Sequence, residues 1–320
     1  MFFVLSGYVI AYTTDHSERT ARAYLTARLA RLWSVLVPAL LLTIALDVLG
    51  RRYGTNEAAY AGAPFDWPVI RIGATLAFVG ESWVSIQPLS NGVTWSLCCE
   101  FWYYMVFAAW TFAPRGHWRA IGVTAALAMG GFKAFLLLPI WLFGVALQRL
   151  AVLRRLPPRA DVVLFAASAA IIGVVLGMVL YNPAIDWMRS HTSPFLFTQL
   201  AQARVFWFDW LLGLCVAAHL LSARTVATRL PLERLQRLIK WCAGVSFAAY
   251  LIHVPLYYFW AAWLPRSAGW LAIGLTLVVI GLVGPQIERS KRGWRRALDQ
   301  TSNWLLPVLA GARMRFKNVH

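Results

Sequence analysis

Residues 32–49 read LWSVLVPALLLTIALDVL, a nearly continuous apolar run that decides the fold class of the chain. An α-helix advances about 1.5 Å per residue, so roughly 20 mainly apolar residues cross the hydrocarbon layer of a bilayer. A run of this length and composition therefore predicts a membrane-spanning helix.

Similar runs recur along the chain and predict an all-α, polytopic transmembrane helix bundle of about nine to ten helices. They cover residues 69–85, 95–113, part of 118–150, 161–181, 205–222, 241–264 and 268–287, and a shorter run at 2–13 opens the chain. Residues 51–67 and 182–203 are expected to be short outer loops. Because neither loop is long enough to form a catalytic domain, any chemistry is expected within or beside the bundle.

The run within residues 118–150 could hold one crossing or two, and it is interrupted by Gly130, Gly131 and Lys133. Irregular backbone is tolerated at membrane depth where protein surrounds it. Two full crossings would place the basic segment 149–159 on the outer side, against the usual distribution of Arg and Lys. We therefore expect a broken or re-entrant segment with one net crossing.

The composition excludes an ordinary water-soluble globule. Hydrophobic residues make up 60% of the 320 residues and charged residues only 13%, whereas soluble domains have about 25% charged residues. Thirty Lys and Arg against 13 Asp and Glu give a net charge of +17. In a membrane protein such an excess marks cytoplasmic segments, so membrane lipid is an expected partner and nucleic acid is not.

The basic segments also predict the topology of a multi-pass protein of the cell membrane. Arg and Lys gather around residues 19–31, 149–159, 224–240 and 289–320. These segments are expected to be cytoplasmic, and the C-terminus with them. We divide the chain into a transmembrane domain, residues 1–288, and a basic cytoplasmic tail, residues 289–320. Counted back from the tail, the opening run starts on the outer side, which leads us to expect a further helix upstream of Met1.

The four cysteines do not suggest a metal site or a disulfide framework. Cys98, Cys99, Cys215 and Cys242 all lie in apolar stretches, and none has CxxC spacing. We expect them to be small buried hydrophobic residues, and we expect no metal.

Glu100 is the strongest candidate for chemistry, because an ionisable group within a spanning helix is costly. Ser96, Glu100 and Tyr103 follow helical spacing and would lie on one polar face. A carboxylate there could orient a hydroxyl or imidazole, or accept a proton. The competing interpretation is a packing glutamate that hydrogen-bonds a neighbouring helix.

Two further features have both a functional and a structural interpretation. Arg28 and Arg31 lie three residues apart, on one face of a helix, just before an apolar run. They could bind the phosphates of an anionic donor, or only anchor the helix at the cytoplasmic surface. His253 lies within an apolar run and could act as a base or hydrogen-bond donor, or simply bond a backbone carbonyl.

Four segments, taken together, resemble one known family. Residues 2–8, FFVLSGY, resemble an FFxxSG motif, and Arg28 and Arg31 match an RxxR pair. Residues 94–104, TWSLCCEFWYY, are similar to a WSLxxE segment, and residues 245–256, VSFAAYLIHVPL, look like a SYxxYLIH segment. In this order, the segments resemble the membrane acyltransferase family 3, which contains integral-membrane O-acyltransferases.

The resemblance implies transfer of an acyl group, usually acetyl from acetyl-CoA, to a hydroxyl of a carbohydrate or lipid-linked glycan, as in polysaccharide modification. It implies that Arg28 and Arg31 bind the acyl-CoA, and that Glu100 and His253 are catalytic and approach one central polar cavity. The other expected lining residues are Ser6, Trp95, Ser96, Tyr103 and Tyr250.

Two departures from the family pattern bear on activity. Ser34 stands where the family has a proline after its second arginine, and Pro38 comes a turn later. The family's first helix also carries an Arg and a His, its best candidate for the base, and this sequence begins after that point. The alternatives are therefore a transporter or flippase, whose path the interrupting Gly and Pro residues would line, and a catalytically inactive relative of the family.

Overall fold

A computed structural model of the chain describes residues 2–150, 157–176, 181–228 and 232–317, and contains no β-strand among them. The helices are α1 Phe2–His16, α2 Ala21–Tyr53, α3 Pro68–Leu76, α4 Trp95–Phe112, α5 His117–Arg149, α6 Pro158–Leu176, α7 Tyr181–His191, α8 Pro194–Leu200, α9 Phe206–Ala227, α10 Gln236–Trp263 and α11 Gly269–Lys317. The expected all-α helix bundle is confirmed.

Five stretches of the described residues are long and apolar enough to cross a bilayer. They are Ala21–Tyr53, His117–Arg149, Pro194–Ala223, Glu233–Trp263 and Arg266–Thr301. Helices α2, α5, α9, α10 and α11 supply most of these stretches, and each overlaps a run that the sequence predicted to be apolar and helical. The chain is therefore a multi-pass membrane protein.

The predicted spanning helix over residues 69–85 is wrong. Helix α3 ends at Leu76 after nine residues, which is about 14 Å of helix and too short to cross a bilayer. The chain then turns, with Phe78 at a φ of 58°, and runs without an α-helix as far as α4. Polar contacts hold this irregular segment, and they are not visible in a count of apolar residues.

Residues 182–203, expected to be a loop, are also largely helical, because α7 and α8 occupy most of them. Ser193 caps α8 by accepting a hydrogen bond from the backbone N–H of Leu196. At the other end of the chain, α11 runs without interruption across residue 289, so the division into a transmembrane domain and a basic tail stays a prediction.

The expectation that all four cysteines are buried holds for two of them. Cys98 and Cys99 are buried, Cys215 is half-buried and Cys242 is exposed. Cys242 lies near the start of α10, where the neighbouring side chains are exposed as well. All four are free thiols.

The helices fall into two compact units. Unit 1 consists of Met1–Ala21, Ala77–Ile86 and Trp95–Ile239, and unit 2 of Arg22–Leu76, Gln87–Thr94 and Lys240–His320. In unit 1, α5 packs against α1, α4 and α9, and α6 packs against α9. Helix α5 is thus the central element of this unit.

Close approach of α1 and α5 depends on two glycines. A Cβ atom at Gly7 would collide with the carbonyl oxygen of Trp141, and one at Gly144 with the carbonyl oxygen of Val4. Small residues let membrane helices approach closely enough for dense packing. The glycine of the FFxxSG segment therefore has a packing role that brings α1 against α5.

Helix α5 is broken at the place where the sequence predicted an interruption. Gly131 has a φ of 78°, a conformation that glycine adopts without steric cost. A Cβ atom here would also overlap the carbonyl of Ser82. The predicted break is confirmed, while the single net crossing stays a prediction.

The irregular segment Ala77–Ile86 packs against this break within unit 1. Glu81 forms an ion pair with Lys133, and both side chains are buried. The indole N–H of Trp83 donates to the carbonyl of Ala128 at 3.0 Å, and that of Trp102 donates to the carbonyl of Phe78 at 2.9 Å. The segment is therefore fixed by polar contacts from α4 and α5.

In unit 2, residues 87–94 are held between α2 and α10. The side chain of Asp47 accepts hydrogen bonds from both the backbone N–H and the hydroxyl of Ser90. The amide nitrogen of Asn91 donates to the hydroxyl of Thr43 at 3.0 Å and to the carbonyl of Leu251 at 2.9 Å. These buried bonds give partners to polar groups of a segment whose only regular element is the short 3-10 helix Gly92–Thr94.

Candidate functional site

Glu100 belongs to a cluster of four polar side chains from three helices in unit 1. Glu100 lies in the second turn of α4 and is 3% exposed. One of its carboxylate oxygens, Oε1, accepts hydrogen bonds from the hydroxyls of Ser6 and Tyr104. The indole N–H of Trp141 donates to Ser6 Oγ at 3.1 Å. We call Ser6, Glu100, Tyr104 and Trp141 the Glu100 cluster.

The packing of α1 against α4 and α5 positions this cluster. Phe3, one turn before Ser6, packs edge-on against Trp95 with ring centroids 5.8 Å apart, and against Tyr103 at 5.3 Å. The ring of Tyr103 in turn lies 5.9 Å from that of Trp141. The aromatic contacts fix α1 beside α4, so that Ser6 reaches the carboxylate.

The predicted site residues of unit 1 lie around this cluster. Ser6 contacts Glu100 directly, Ser96 is 3% exposed one turn before it, and Trp95 and Tyr103 contact the Phe3 ring. The hydroxyl of Tyr103 is buried and has no hydrogen-bond partner among the described residues. Their roles in catalysis stay predictions.

Two members of the cluster were missed by the sequence analysis. Tyr104 lies four residues after Glu100, which is the spacing that places two side chains on adjacent turns of one helix face. This signal is present in the sequence, but the polar face counted from Ser96 and Glu100 led to Tyr103 instead. Trp141 carries no comparable signal, because its contact with Ser6 joins residues 135 positions apart.

The arrangement is suited to orienting a carboxylate. Two hydroxyls donate to one oxygen of Glu100, and hydrogen bonds to a charged acceptor are stronger than those between neutral groups. A carboxylate fixed in this way could accept a proton from a hydroxyl. The same contacts would also join three helices in a purely structural role.

The expected phosphate-binding arginines lie on α2 in unit 2. Arg31 forms an ion pair with Glu288 of α11, and its guanidinium lies 4.6 Å from the ring centroid of Phe247. Arg28 is 8% exposed and lies 5.7 Å from the ring of Tyr24. Since Glu288 occupies the guanidinium of Arg31, an anionic ligand would have to share or displace that carboxylate.

His253 and Tyr250 lie on α10 in unit 2. Nδ1 of His253 bonds the carbonyl of Tyr250 at 2.8 Å and that of Ala249 at 3.2 Å. Because a carbonyl only accepts, Nδ1 carries the proton, and in the neutral ring Nε2 is the basic nitrogen. The Tyr250 hydroxyl donates to the carbonyl of Val93 at 3.3 Å. The expectation that His253 approaches the cavity of Glu100 stays a prediction.

Among the described residues, no three His, Cys, Asp or Glu side chains are grouped closely enough to hold a metal ion.

A family model described as an acyltransferase domain matches residues 1–286. No curated protein and no solved structure matches the chain. The match covers most of the chain, including every residue of the Glu100 cluster and both arginines of α2.

Proposed function

Because the chain belongs to the membrane acyltransferase family 3, we propose that it is an integral-membrane O-acyltransferase that uses acyl-CoA, most simply acetyl-CoA, as its co-substrate. The acceptor in this proposal is a hydroxyl of a carbohydrate or lipid-linked glycan. We further propose that the C-terminus is cytoplasmic, because Arg and Lys gather in residues 289–320.

The reaction requires a proton acceptor near the acceptor hydroxyl. The hydroxyl oxygen attacks the thioester carbonyl, the carbon–sulfur bond breaks, and the proton of the hydroxyl is removed while the sulfur leaves as the thiol of CoA. We assign the removal of that proton to Glu100. The observation that carries the assignment is its burial in an apolar helix together with hydroxyl donors from Ser6 and Tyr104.

Arg28 and Arg31 are proposed to bind the donor. A guanidinium offers forked N–H donors that match phosphate oxygens, and the side chain of Arg31 is 29% exposed. In this proposal the phosphates of acyl-CoA exchange with Glu288 at Arg31. Glu288 would then keep the arginine in place when no donor is bound.

His253 is proposed as a second catalytic group, acting through Nε2. Its hydrogen bonds to the backbone fix the ring and the tautomer, as is common for imidazoles with a defined role. Ser96, Trp95, Tyr103 and Tyr250 are proposed to line the substrate cavity without taking part in proton transfer.

The function is tested by acyl transfer in membranes that contain the full chain. We expect labelled acetyl to pass from acetyl-CoA to a glycan acceptor, and Glu100→Gln to lower kcat by at least about 100-fold, the contribution of a general base. The amide oxygen of Gln still accepts from Ser6 and Tyr104, so the variant should fold. Glu57→Gln, at an exposed position in a short 3-10 helix of unit 2, is the control. Unchanged transfer in Glu100→Gln would remove Glu100 from the mechanism.

A second pair of variants separates donor binding from helix packing at Arg31. Arg31→Ala and Glu288→Gln both break the ion pair between α2 and α11. If Arg31 binds phosphate, Arg31→Ala raises the KM for acetyl-CoA, whereas Glu288→Gln leaves that KM unchanged or lowers it by removing the competing carboxylate. Equal increases in KM would mean that the ion pair matters only for packing.

A further inference from the structure

Two adjoining cavities lie where α10 ends and α11 begins, both within unit 2. The first has a volume of about 550 Å³ and the second about 420 Å³. The first is lined by residues that include Asn56, Tyr257, Trp260, Pro265 and Arg266. Tyr257 also lines the second cavity, so the two share a wall.

The first cavity has a polar, cationic end with a firmly held wall. Arg266 is exposed and forms no ion pair among the residues that the structure describes. Asn56 donates two hydrogen bonds to the end of α10. Its backbone N–H donates to the carbonyl of Ala262 at 3.0 Å, and its side-chain amide donates to the carbonyl of Ala261 at 3.1 Å. The cavity therefore offers an unpaired positive charge next to a loop that is hydrogen-bonded to the end of α10.

The second cavity is apolar and lies along the membrane-spanning part of α11. Ile273, Leu277 and Ile280 line it from one face of that helix, and Leu277 is 62% exposed. Ile273 and Ile280 are seven residues apart, about 10 Å along the helix axis. That length fits within one leaflet of a hydrocarbon layer of about 30 Å.

We propose that the two cavities form one binding site for an anionic lipid of the surrounding membrane. The headgroup phosphate lies in the first cavity, where it pairs with Arg266, and one hydrocarbon chain follows Ile273 and Leu277 in the second. Tyr257 lies between the two regions and lines both of them. Tyrosine is one of the residues enriched at membrane–water interfaces.

Charge and shape together favour a lipid over a water-soluble anion. A free phosphate compound would use only the cationic cavity and would leave the apolar groove exposed. A lipid fills both, because its charged headgroup and its hydrocarbon chain are covalently joined, as the two cavities adjoin at Tyr257. The amino end of α11, which begins at Gly269 beside the cavity, adds the partial positive charge of a helix N-terminus.

His253, which we propose as a catalytic group, also lines the second cavity, so the site is tested by lipid binding alone, without an acyl donor. The purified full chain is incubated with dioleoylphosphatidylglycerol, and bound lipid is counted by native mass spectrometry. Arg266→Gln should weaken binding about five-fold, the effect of one basic contact with an anionic lipid. Arg295→Gln, an exposed arginine of α11 outside both cavities, should leave binding unchanged.

A second pair of variants tests the groove. Leu277→Trp fills the space proposed for the hydrocarbon chain and should reduce binding, whereas Leu282→Trp, at a position of similar exposure outside the groove, should not. Equal losses in Arg266→Gln and Arg295→Gln would overturn the proposal, since they indicate non-specific attraction. Equal binding of dioleoylphosphatidylcholine, or full competition by glycerol phosphate, would overturn it as well.

Discussion

Glu81 and Glu100 are both buried in unit 1, but their partners are of different kinds. Glu81 faces the ammonium group of Lys133 and also accepts from the hydroxyl of Ser85 at 2.7 and 2.8 Å. Glu100 is held by two hydroxyls, from Ser6 and Tyr104. The first arrangement pairs two opposite charges, whereas these two contacts of Glu100 are hydrogen bonds from hydroxyl groups.

In the proposed mechanism, this difference corresponds to a division of roles in which Glu81 serves the fold and Glu100 serves the chemistry. The Glu81–Lys133 pair lies beside the break of α5 at Gly131 and fixes the irregular segment that begins at Ala77. Removing either partner of a buried ion pair is strongly destabilising, because the other charge is left buried without a partner. In the proposed mechanism, a substrate hydroxyl would replace one of the two hydroxyl donors to Glu100.

Replacing Lys133 should give the largest effect on stability. Lys133→Met removes the ammonium group and leaves Glu81 buried without its countercharge, which costs about 3–5 kcal/mol. The free energy of unfolding in detergent, from denaturant titration followed by circular dichroism, measures the loss. The double variant Glu81→Gln/Lys133→Met should regain much of it, because no unpaired charge remains. An equal loss in both variants would show that packing, and not charge, is responsible.

Replacing the adjacent tyrosines Tyr103 and Tyr104 of α4 should have smaller effects on the free energy of unfolding, and the two effects should differ in direction. Tyr104→Phe removes a hydrogen bond to Glu100 and should lower the free energy of unfolding by about 1.5–3 kcal/mol, the range for bonds to charged groups. Tyr103→Phe removes a buried hydroxyl that has no partner among the described residues, so it should be neutral or stabilising. Thermal unfolding of both variants in one detergent measures the difference. Equal destabilisation would mean that the Tyr104 hydroxyl does not support Glu100.

The membrane helices could be predicted from sequence because lipid imposes a simple requirement on length and polarity. The same rule predicted the break at Gly131, where two glycines and a lysine interrupt the run. The rule failed at residues 69–85, where α3 ends at Leu76 and an irregular segment follows. That segment is stabilised by the pairing of Glu81 with Lys133, which is 52 residues away in the chain. A local count of apolar residues contains no information on such a partner.

The candidate site could be predicted only in part for the same reason. Helical spacing relates residues on one helix, so it could have found Tyr104 from Glu100. The contacts of Ser6 with Glu100 and Trp141 join three helices. The resemblance pointed to Ser6, but nothing in the sequence pointed to Trp141. Partners that depend on the packing of α1 against α5 become visible only in the folded chain.

The smallest effect is expected for a carboxylate that has a cation but no burial. The guanidinium of Arg71 donates to both oxygens of Asp66 at 2.8 Å, and this hydrogen bonding, together with the nearby positive charge, lowers the pKa of Asp66 from its usual value. Asp66 is exposed in the segment before α3, so water and salt screen the pair. Burial, and not the presence of a cation alone, makes the Lys133 effect large.

The pH dependence of this exposed pair follows from the direction of the shift. A carboxyl whose pKa is lowered by folding adds stability that is present above its unfolded pKa, about 3.9, and is lost as the pH falls through the folded value. The melting temperatures of the wild type and Asp66→Asn should therefore differ slightly at pH 6 and converge once the pH is below the pKa of Asp66 in the folded protein. Added salt should reduce the difference at pH 6. A difference that persists at low pH would mean that Asp66 contributes through its shape and neutral hydrogen bonds, so its charge would have no part in the comparison with Glu81 and Glu100.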